Sequence, residues 1–267
     1  MSQKGKYWDI FRLNKKIIDL GCDFLSLLRI PQYIRYSKQR ANNKNIKLLR
    51  KSDRCYICGL GPSLKTVDFN KIKDDTIVVN RFYKFADQNN INLTPTYYCL
   101  IDDAFYKETL IEETRKAFDK YPNSAFLLNG KYIKNIKNET NQLSNAFYGF
   151  MWNRTLNKKT NIDFSKRIPI ANNVVNTAIA LAIYAGYKEI FLLGCDFNSF
   201  ASPKSVHCYD EKDTERQISL GFELFCYSFV AEDHLELAAY ARRKGIKIYN
   251  ATPGSLIDAY ETKSKFN

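Results

Sequence analysis

The stretch Cys55-Tyr56-Ile57-Cys58-Gly59-Leu60-Gly61-Pro62-Ser63-Leu64 decides the fold of this chain. Its apolar start predicts a short buried strand, and the glycines predict a tight turn directly after it. The serine is placed to cap a helix that follows. Such a turn can bind an anion, because backbone N–H groups and the helix dipole favour a phosphate there. The residues expected to hold the phosphates of a nucleotide are Gly59, Leu60, Gly61, Pro62 and Ser63.

A plain structural role is the alternative for this turn, because Gly-x-Gly alone is a weak motif and also serves close packing of a strand against a helix. Beyond this turn, predicted apolar strands alternate with predicted helices along the rest of the chain. This pattern predicts an α/β protein with a single Rossmann-like parallel sheet and helices on both faces. The predicted strands are 55–58, 76–80, 96–101, 124–128, 188–195 and 246–249, and the predicted helices are 108–120, 172–185, 214–228 and 231–244.

The composition divides the chain into three predicted parts. Residues 1–53 form a basic helical arm, residues 54–260 the nucleotide-binding catalytic domain, and residues 261–267 a tail. Within the domain, residues 129–165 and 198–213 are polar and without a clear period. We expect these two stretches to be mobile loops or a lid rather than parts of the sheet.

Polar side chains follow most of the predicted strands. In a parallel sheet these positions share one edge, where ligands bind. Asn80 could bind a base or ribose, or it could simply form a turn. An aspartate after the third strand could hold a ribose hydroxyl or a Mg²⁺-bound phosphate, or cap the next helix. The residues predicted to complete the nucleotide site in this way are Asp102, Asp196 and Asn198.

Two further positions are candidates for chemistry. His207 lies in an irregular loop beside Tyr209 and Asp210, and a histidine with a carboxylate partner can act as a general base near neutral pH. An exposed loop histidine is the alternative. Arg167 could neutralise a phosphate or a sugar carboxylate, unless it is an ordinary surface arginine. His234, inside a predicted helix, is interpreted as structural.

The formal net charge of +13 is concentrated at the N-terminus, where residues 1–54 hold 14 Lys and Arg against 4 Asp. The rest of the chain is nearly balanced, which argues against a nucleic-acid-binding core. Seven cysteines, an odd number, favour reduced thiols in a cytosolic protein. Cys55 and Cys58 have CxxC spacing but face opposite ways in a strand, so no metal site is predicted. No signal peptide or membrane span is predicted either.

Residues 7–29 form the clearest amphipathic helix, which Pro31 is expected to end. An apolar stripe flanked by cations suits the surface of an anionic membrane. The same helix could instead dock on the catalytic domain or on a second copy in a homo-oligomer. A peripheral location at the cytoplasmic face of the inner membrane is therefore one of two expectations.

Four ordered motifs resemble the small bacterial sialyltransferases of cell-surface glycan synthesis, over about residues 54–260. The same motifs occur in a wider group found with capsule and O-antigen genes, which is also similar to 6-hydroxymethylpterin diphosphokinases. The motifs in this chain are Gly59-Leu60-Gly61-Pro62-Ser63-Leu64, Asn80-Arg81-Phe82-Tyr83, Gly186-Tyr187-Lys188-Glu189-Ile190-Phe191-Leu192-Leu193-Gly194-Cys195-Asp196-Phe197 and Pro253-Gly254-Ser255-Leu256.

The resemblance implies a GT-A-like domain with a lid that binds a CMP-sugar, needs no metal or other cofactor, and transfers the sugar by direct displacement with a histidine base. Asn173 would replace the residues that meet the donor in this family. The family's histidine falls near Ser228 here, so His207 would have to supply the base.

These inferences predict a glycosyltransferase that moves a sugar from a nucleotide-sugar donor to a glycan or lipid-linked acceptor in bacterial surface polysaccharide synthesis. One alternative is a diphosphotransferase resembling 6-hydroxymethylpterin diphosphokinases, which would use ATP and Mg²⁺. Its possible metal ligands are Asp102, Asp103 and Asp196. Another is a non-catalytic nucleotide-binding module of a capsule assembly complex.

Overall fold

A computed structural model describes residues 3–107, 111–152, 156–157, 159–169, 172–204, 206–211 and 218–263. Its strands are β1 (Arg54–Cys58), β2 (Asp75–Val79), β3 (Tyr97–Leu100), β4 (Ala125–Asn129), β5 (Asn145–Gly149), β6 (Met151–Trp152), β7 (Ile168–Pro169), β8 (Glu189–Leu193), β9 (Lys247–Asn250) and β10 (Glu261–Thr262). Its α-helices are α1 (Gln3–Leu27), α2 (Ile30–Arg35), α3 (Ser37–Asn42), α4 (Phe82–Gln88), α5 (Ile111–Lys120), α6 (Ile133–Ile136), α7 (Val174–Ala185) and α8 (Leu220–Arg243).

Eight strands form one parallel sheet in the order β10-β9-β8-β1-β2-β3-β4-β5, and β6 pairs with β7 apart from it. The strand before the glycine turn, β1, lies at the centre of the sheet between β8 and β2. Its side chains alternate between two cores, so Ile57 belongs to the core that contains α7, and Tyr56 belongs to the core that contains residues of α4 and α5. The predicted α/β class with a single two-sided parallel sheet is confirmed.

The helix predicted over 172–185 is α7, and both of its ends follow from its sequence. Asn173 caps the start, where its side chain accepts a hydrogen bond from the Val175 N–H at 2.7 Å. Gly186 ends the helix with φ 96°, a left-handed conformation that glycine adopts without strain. The helix between is almost entirely buried, which explains why it carries no charged residue.

Three sequence predictions about elements were wrong. The stretch 129–165 contributes β5 to the edge of the main sheet, so it is not wholly outside the sheet. The two helices predicted over 214–228 and 231–244 are one helix, α8, in the described part of that region. The predicted tail begins with β10, which pairs with β9. Mobility of 129–165 and 198–213 stays a prediction.

The end of the predicted arm is built into the core. The Asn43 side chain donates to the Tyr148 and Phe164 carbonyls at 2.7 and 2.8 Å, and Ile46 is fully buried. The Tyr97 hydroxyl donates to the Ile46 carbonyl at 2.7 Å. This part of the chain therefore belongs structurally to the sheet domain. Within the described ranges, no helix carries an apolar stretch long enough to cross a bilayer.

Candidate functional site

A cavity of about 270 Å³ opens at the carboxyl ends of β8, β1 and β2. This is the edge where parallel sheets bind ligands, and the volume approaches that of a small-molecule site. Side chains and backbone from the glycine turn, the loop after β8, the start of α7 and the middle of α8 meet there. The lining residues predicted from the sequence are Leu60, Gly61, Pro62, Asn80, Asn173, Asp196, Asn198 and His207.

The glycine turn forms the floor of the cavity by close contact with the loop after β8. A Cβ on Gly59 would lie 2.5 Å from the Gly194 carbonyl oxygen, and a Cβ on Gly61 only 1.9 Å from Oδ2 of Asp196. The Gly59 N–H donates to the Leu193 carbonyl at 2.7 Å, and the Gly61 N–H to the Gly194 carbonyl at 2.8 Å. The two glycines are thus required for packing, as the alternative interpretation proposed.

Asp196 and Ser63 join the two loops directly. The Ser63 hydroxyl donates to Asp196 Oδ2 at 2.7 Å, and its backbone N–H donates to Oδ1 at 3.3 Å. Ser63 lies inside a short 3₁₀-helix, Pro62–Thr66, so the prediction that it caps a helix was wrong. The backbone N–H groups of Gly59, Gly61 and Ser63 already have partners. The predicted phosphate cradle of outward N–H groups is therefore not formed by them.

Asn80 presents an unused acceptor at the cavity. Among the described residues, its buried side-chain oxygen has no hydrogen-bond partner. The backbone is fixed, because the N–H donates to the Cys99 carbonyl at 3.1 Å and the carbonyl accepts from the Tyr98 hydroxyl at 2.6 Å. Its φ of 45° is an unfavourable conformation that asparagine tolerates better than most residues. A buried acceptor without a partner is expected where a ligand donates a hydrogen bond.

His207 lines the cavity and is held by a carboxylate. Its Nδ1 lies 2.9 Å from Oε2 of Glu211, and its ring stacks on Tyr209 at 5.0 Å and 10°. The Arg81 guanidinium donates to Glu211 Oε1 at 3.1 Å and to Glu113 at 3.1 Å, which fixes the carboxylate. The Cys208 N–H donates to the Leu60 carbonyl at 2.9 Å, so the loop is tied to the glycine turn.

The neighbours predicted for His207 have different roles from those expected. Asp210 is exposed and lies 4.0 Å from Lys65, and Glu211 takes its place as the carboxylate partner. Tyr209 is buried, and burial raises the pKa of its hydroxyl above the ordinary value. Tyr209 therefore stays protonated and supports the ring rather than exchanging a proton.

The cavity also has an aromatic wall that was not predicted from the sequence. Phe197, at φ 58°, packs its ring 4.5 Å from Tyr227, and both line the cavity. His234 lines it too, with Nδ1 2.9 Å from the Tyr260 hydroxyl. Burial lowers the pKa of His234 to about 3, so the ring is neutral at physiological pH. The packing of α8 against the sheet brings Tyr227 and His234 to the site, and no local motif marks these two. Phe197 ends the motif that runs from Gly186, but it was not predicted to be a site residue.

Two predicted site residues lie elsewhere. Asp102 is exposed, does not line the cavity, and accepts a hydrogen bond from the Ala104 N–H at 2.9 Å, which is the capping role proposed as its alternative. Arg167 lies 5.6 Å from the Tyr33 ring and shares a small separate cavity with Arg29 and Lys131. Neither residue is positioned to contact a ligand beside His207.

The acidic residues considered for Mg²⁺ do not converge. Asp102 and Asp103 follow β3, whereas Asp196 follows β8, and β1 and β2 lie between these strands. Asp103 binds Lys131 at 2.5 Å. Among the described residues, no three acidic, histidine or cysteine side chains are grouped as metal ligands. The three aspartates therefore do not fit a single magnesium site.

Comparison with solved structures supports the fold. The monofunctional alpha-2,3-sialyltransferase Cst-I from Campylobacter jejuni matches with a TM-score of 0.50 and 16% identity, over 80% of each chain. The sialyltransferase CstII from the same organism, in complex with the substrate analogue CMP-3FNeuAc, gives a TM-score of 0.49 and 21% identity, over 79% of this chain and 86% of that one. The structural similarity to these sialyltransferases is thus confirmed, and at this identity it establishes the fold alone.

A comparison with curated proteins finds no match. A family model described as 6-hydroxymethylpterin diphosphokinase MptE-like matches residues 30–200. The matched range contains β1 to β8, including the glycine turn, Asn80 and Asp196. Since this match spans more than half of the sequence, the chain belongs to the 6-hydroxymethylpterin diphosphokinase MptE-like family.

Proposed function

We propose that this protein is a glycosyltransferase that moves a sugar from a nucleotide-sugar donor, with a CMP-sugar favoured, to a glycan or lipid-linked acceptor. The observation that carries the proposal is the pair formed by His207 and Glu211 beside the cavity at the carboxyl edge of the sheet. The Cst-I-like fold supports it, since that protein is an alpha-2,3-sialyltransferase.

In the proposed reaction His207 is the general base. Glu211 holds Nδ1, so Nε2 takes the proton from the acceptor hydroxyl. The acceptor oxygen forms a bond to the anomeric carbon while the bond from that carbon to the phosphate oxygen breaks. The nucleotide leaves with the electron pair, and Glu211 stabilises the imidazolium that forms. Every step uses groups of this chain and the two substrates.

The donor would lie against the glycine turn and the start of α7. The unused Asn80 oxygen is available for a donor group such as a ribose hydroxyl or a base amine. Asn173 and Asn198 line the same cavity and can supply further hydrogen bonds. Asp196 fixes the turn through Ser63, so in this proposal it shapes the nucleotide site.

We also propose that the protein acts in surface polysaccharide synthesis at the cytoplasmic face of the inner membrane, where a lipid-linked acceptor would lie. The basis of this proposal is the basic N-terminal segment, where 14 Lys and Arg oppose 4 Asp in residues 1–54. A peripheral helix would bring the enzyme to an acceptor held in the bilayer. Docking of this helix in a homo-oligomer is the competing arrangement.

A thermal-shift series with CMP, UDP, GDP and ATP, each with and without Mg²⁺, tests the proposal. Stabilisation by CMP or UDP without metal is expected, because a ligand that binds only the folded state raises Tm. If only the combination of ATP and Mg²⁺ stabilises the protein, the proposed glycosyltransferase activity is contradicted.

The second candidate function is a diphosphotransferase acting on a pterin-like alcohol, which membership of the MptE-like family favours. It would need a metal site other than one made by Asp102, Asp103 and Asp196 together. Incubation with ATP, Mg²⁺ and a hydroxymethylpterin, followed by detection of AMP, tests it. Nucleotide binding with no turnover in either assay would instead indicate a non-catalytic module.

A further inference from the structure

Helix α1 turns its polar side toward the rest of the protein. The Lys15 ammonium lies 4.0 Å from Oε2 of Glu232 on α8, and only 12% and 11% of these two side chains are exposed. Asp19, Cys22 and Asp23 on the same side of α1 are also partly buried. An amphipathic helix that served only to complete the core would be oriented the other way.

The outward side of α1 is apolar. Leu20 and Phe24 are 68% and 71% exposed, far more than such side chains usually are in a folded protein. They belong to a stripe that runs along the helix and into the segment that follows it. Its other exposed members are Leu13, Ile17, Leu27, Leu28 and Ile34.

The first turns of α8 carry a second exposed apolar cluster. Phe222 and Phe225 are 55% and 47% exposed, and Ile218, Leu220 and Leu224 accompany them. The charged residue of these turns, Glu223, is partly buried and accepts a hydrogen bond from the Ser199 hydroxyl at 2.9 Å. The beginning of α8 therefore offers apolar side chains to its surroundings without a compensating exposed charge among the described residues 218–227.

The contact between Lys15 and Glu232 shows that α1 lies against α8. Phe225 precedes Glu232 by seven residues, so it lies on the same side of α8, about 10 Å along the axis. We call the outward side of α1 together with the first turns of α8 the apolar surface. It combines many large exposed apolar side chains, whereas exposed apolar residues on an ordinary protein surface are usually scattered singly.

The charges around the apolar surface decide between a membrane and a second copy as its partner. Lys16, Arg35 and Lys38 are exposed beside it, and residues 1–54 carry a net charge of +10. Two copies that paired through α1 would bring these cations together, which is unfavourable. Anionic lipid head groups would be attracted to them while the apolar side chains enter the interface.

We propose that the apolar surface is a two-part contact with an anionic bilayer, in which α1 and the first turns of α8 insert side by side. Tyr227, which lines the cavity, follows Phe225 by two residues. The α8 contact therefore holds the cavity beside the lipid–water boundary. This membrane contact adds to the proposed function. It rests on that function only where a lipid-linked acceptor is inferred to reach the site from the bilayer.

Sedimentation of the full chain with vesicles of phosphatidylcholine and about 30% phosphatidylglycerol tests the proposal. We expect Phe222→Glu/Phe225→Glu to lower the vesicle partition coefficient at least about tenfold, because two phenyl rings no longer enter the interface. Leu20→Glu/Phe24→Glu should have a similar effect. Leu235→Glu is the matched control on α8, since Leu235 is 46% exposed but lies beyond Glu232, and it should stay within about twofold of the unmodified chain.

Unchanged vesicle binding by the Phe222/Phe225 variant would overturn the proposal. Conversion of a dimer to a monomer by the same variant, with vesicle binding unchanged, would assign the apolar surface to a second copy. If the glutamate variant does not fold, Phe222→Ser/Phe225→Ser gives the same comparison. Vesicle binding does not require turnover, so the nucleotide thermal-shift series on these variants keeps this test separate from that of the proposed function.

Discussion

At the scale of single residues, the site depends on which carboxylate holds His207. The sequence offers Asp210 and Glu211 within four positions of the histidine, and both could have served. The structure selects Glu211, because Arg81 binds its other oxygen and Asp210 points to solvent near Lys65. Arg81 comes from a distant part of the sequence, so only the fold could settle this choice.

Replacing the base should remove turnover and leave donor binding in place. We expect His207→Ala to lower kcat by about 100-fold or more, the usual contribution of a general base. Glu211→Gln keeps the shape and a hydrogen bond but removes the charge that stabilises the imidazolium, so it should lower kcat by a smaller factor. Steady-state rates with CMP-sugar donors measure both. Equal turnover in His207→Ala and the unmodified chain would eliminate His207 as the base.

Loss of the Asn80 acceptor should weaken nucleotide binding. Asn80→Gly removes the side chain without strain, because glycine tolerates the φ of 45°. We expect a rise in nucleotide Kd of about 5–10-fold, equivalent to one lost hydrogen bond. Titration calorimetry provides the measurement, and Asn80→Asp, which keeps an acceptor oxygen, is the matched control. An unaffected Kd in Asn80→Gly would place the nucleotide elsewhere.

His234 should make the folded state sensitive to acid. Its pKa is about 3 in the folded chain against an ordinary 6.5, so below pH 6.5 the unfolded chain binds a proton that the folded chain does not. Its contribution is fully present above pH 6.5 and falls toward pH 3, by up to about 1.4 kcal/mol per pH unit. Urea unfolding from pH 7.5 to 5 should therefore show a steeper loss in the unmodified chain than in His234→Gln. Burial raises the pKa of the neighbouring Asp233 to about 6, so this group also titrates in the same range. Because both chains contain Asp233, its contribution cancels when their pH dependences are subtracted.

At the scale of elements, the strands that are buried on both sides could be predicted from their apolar runs, and β1, β2, β3, β4, β8 and β9 lie close to the expected positions. The edge strand β5 could not be predicted in this way, because its sequence begins with a polar residue and lies in an asparagine-rich stretch. The glycine turn was located correctly, and close packing was one of the two roles considered for it. The short 3₁₀-helix of the turn and the hydrogen bonds from Ser63 to Asp196 depend on the loop after β8. The local sequence does not reveal this contact between the two loops.

A side chain at Gly61 should disrupt the hydrogen bonds between Ser63 and Asp196. We expect Gly61→Ala to lower the free energy of unfolding by about 1–3 kcal/mol, since its Cβ would overlap the Asp196 carboxylate. Gly221→Ala is the control, because nothing lies within 4 Å of its Cβ and alanine favours the helix, so stability should rise by up to about 1 kcal/mol. Denaturant unfolding of both variants distinguishes them. A Gly61→Ala chain as stable as its parent would show that the turn can move away from Asp196.

At the scale of the whole molecule, the N-terminal segment has two parts with different duties. Helix α1 touches the body through polar contacts, whereas Asn43 and Ile46 are buried in the core. The sequence predicted one arm up to residue 53, because cations continue through both parts. Charge composition alone does not separate residues that dock on the surface from residues that complete the core.

Two truncations should therefore behave differently. A chain lacking residues 1–27 should fold and bind nucleotide but lose most vesicle binding. A chain lacking residues 1–50 should be insoluble or strongly destabilised, since it loses Ile46 and the hydrogen bonds of Asn43. Soluble yield, thermal melting and vesicle sedimentation are the measurements. Full stability of the shorter chain would show that the core closes without these residues.

The central position of β1 has a consequence for synthesis on the ribosome. Arg54 of β1 is in register with Glu189 of β8, so one side of the middle strand stays unpaired until more than two-thirds of the chain has been made. Pairing over such a separation is slow, and an open strand edge invites association between nascent chains. The half-sheet of β1 to β5 must wait for β8 while α1 has already left the exit tunnel. Folding of this protein is therefore expected to finish late, and early termination should yield aggregation-prone fragments.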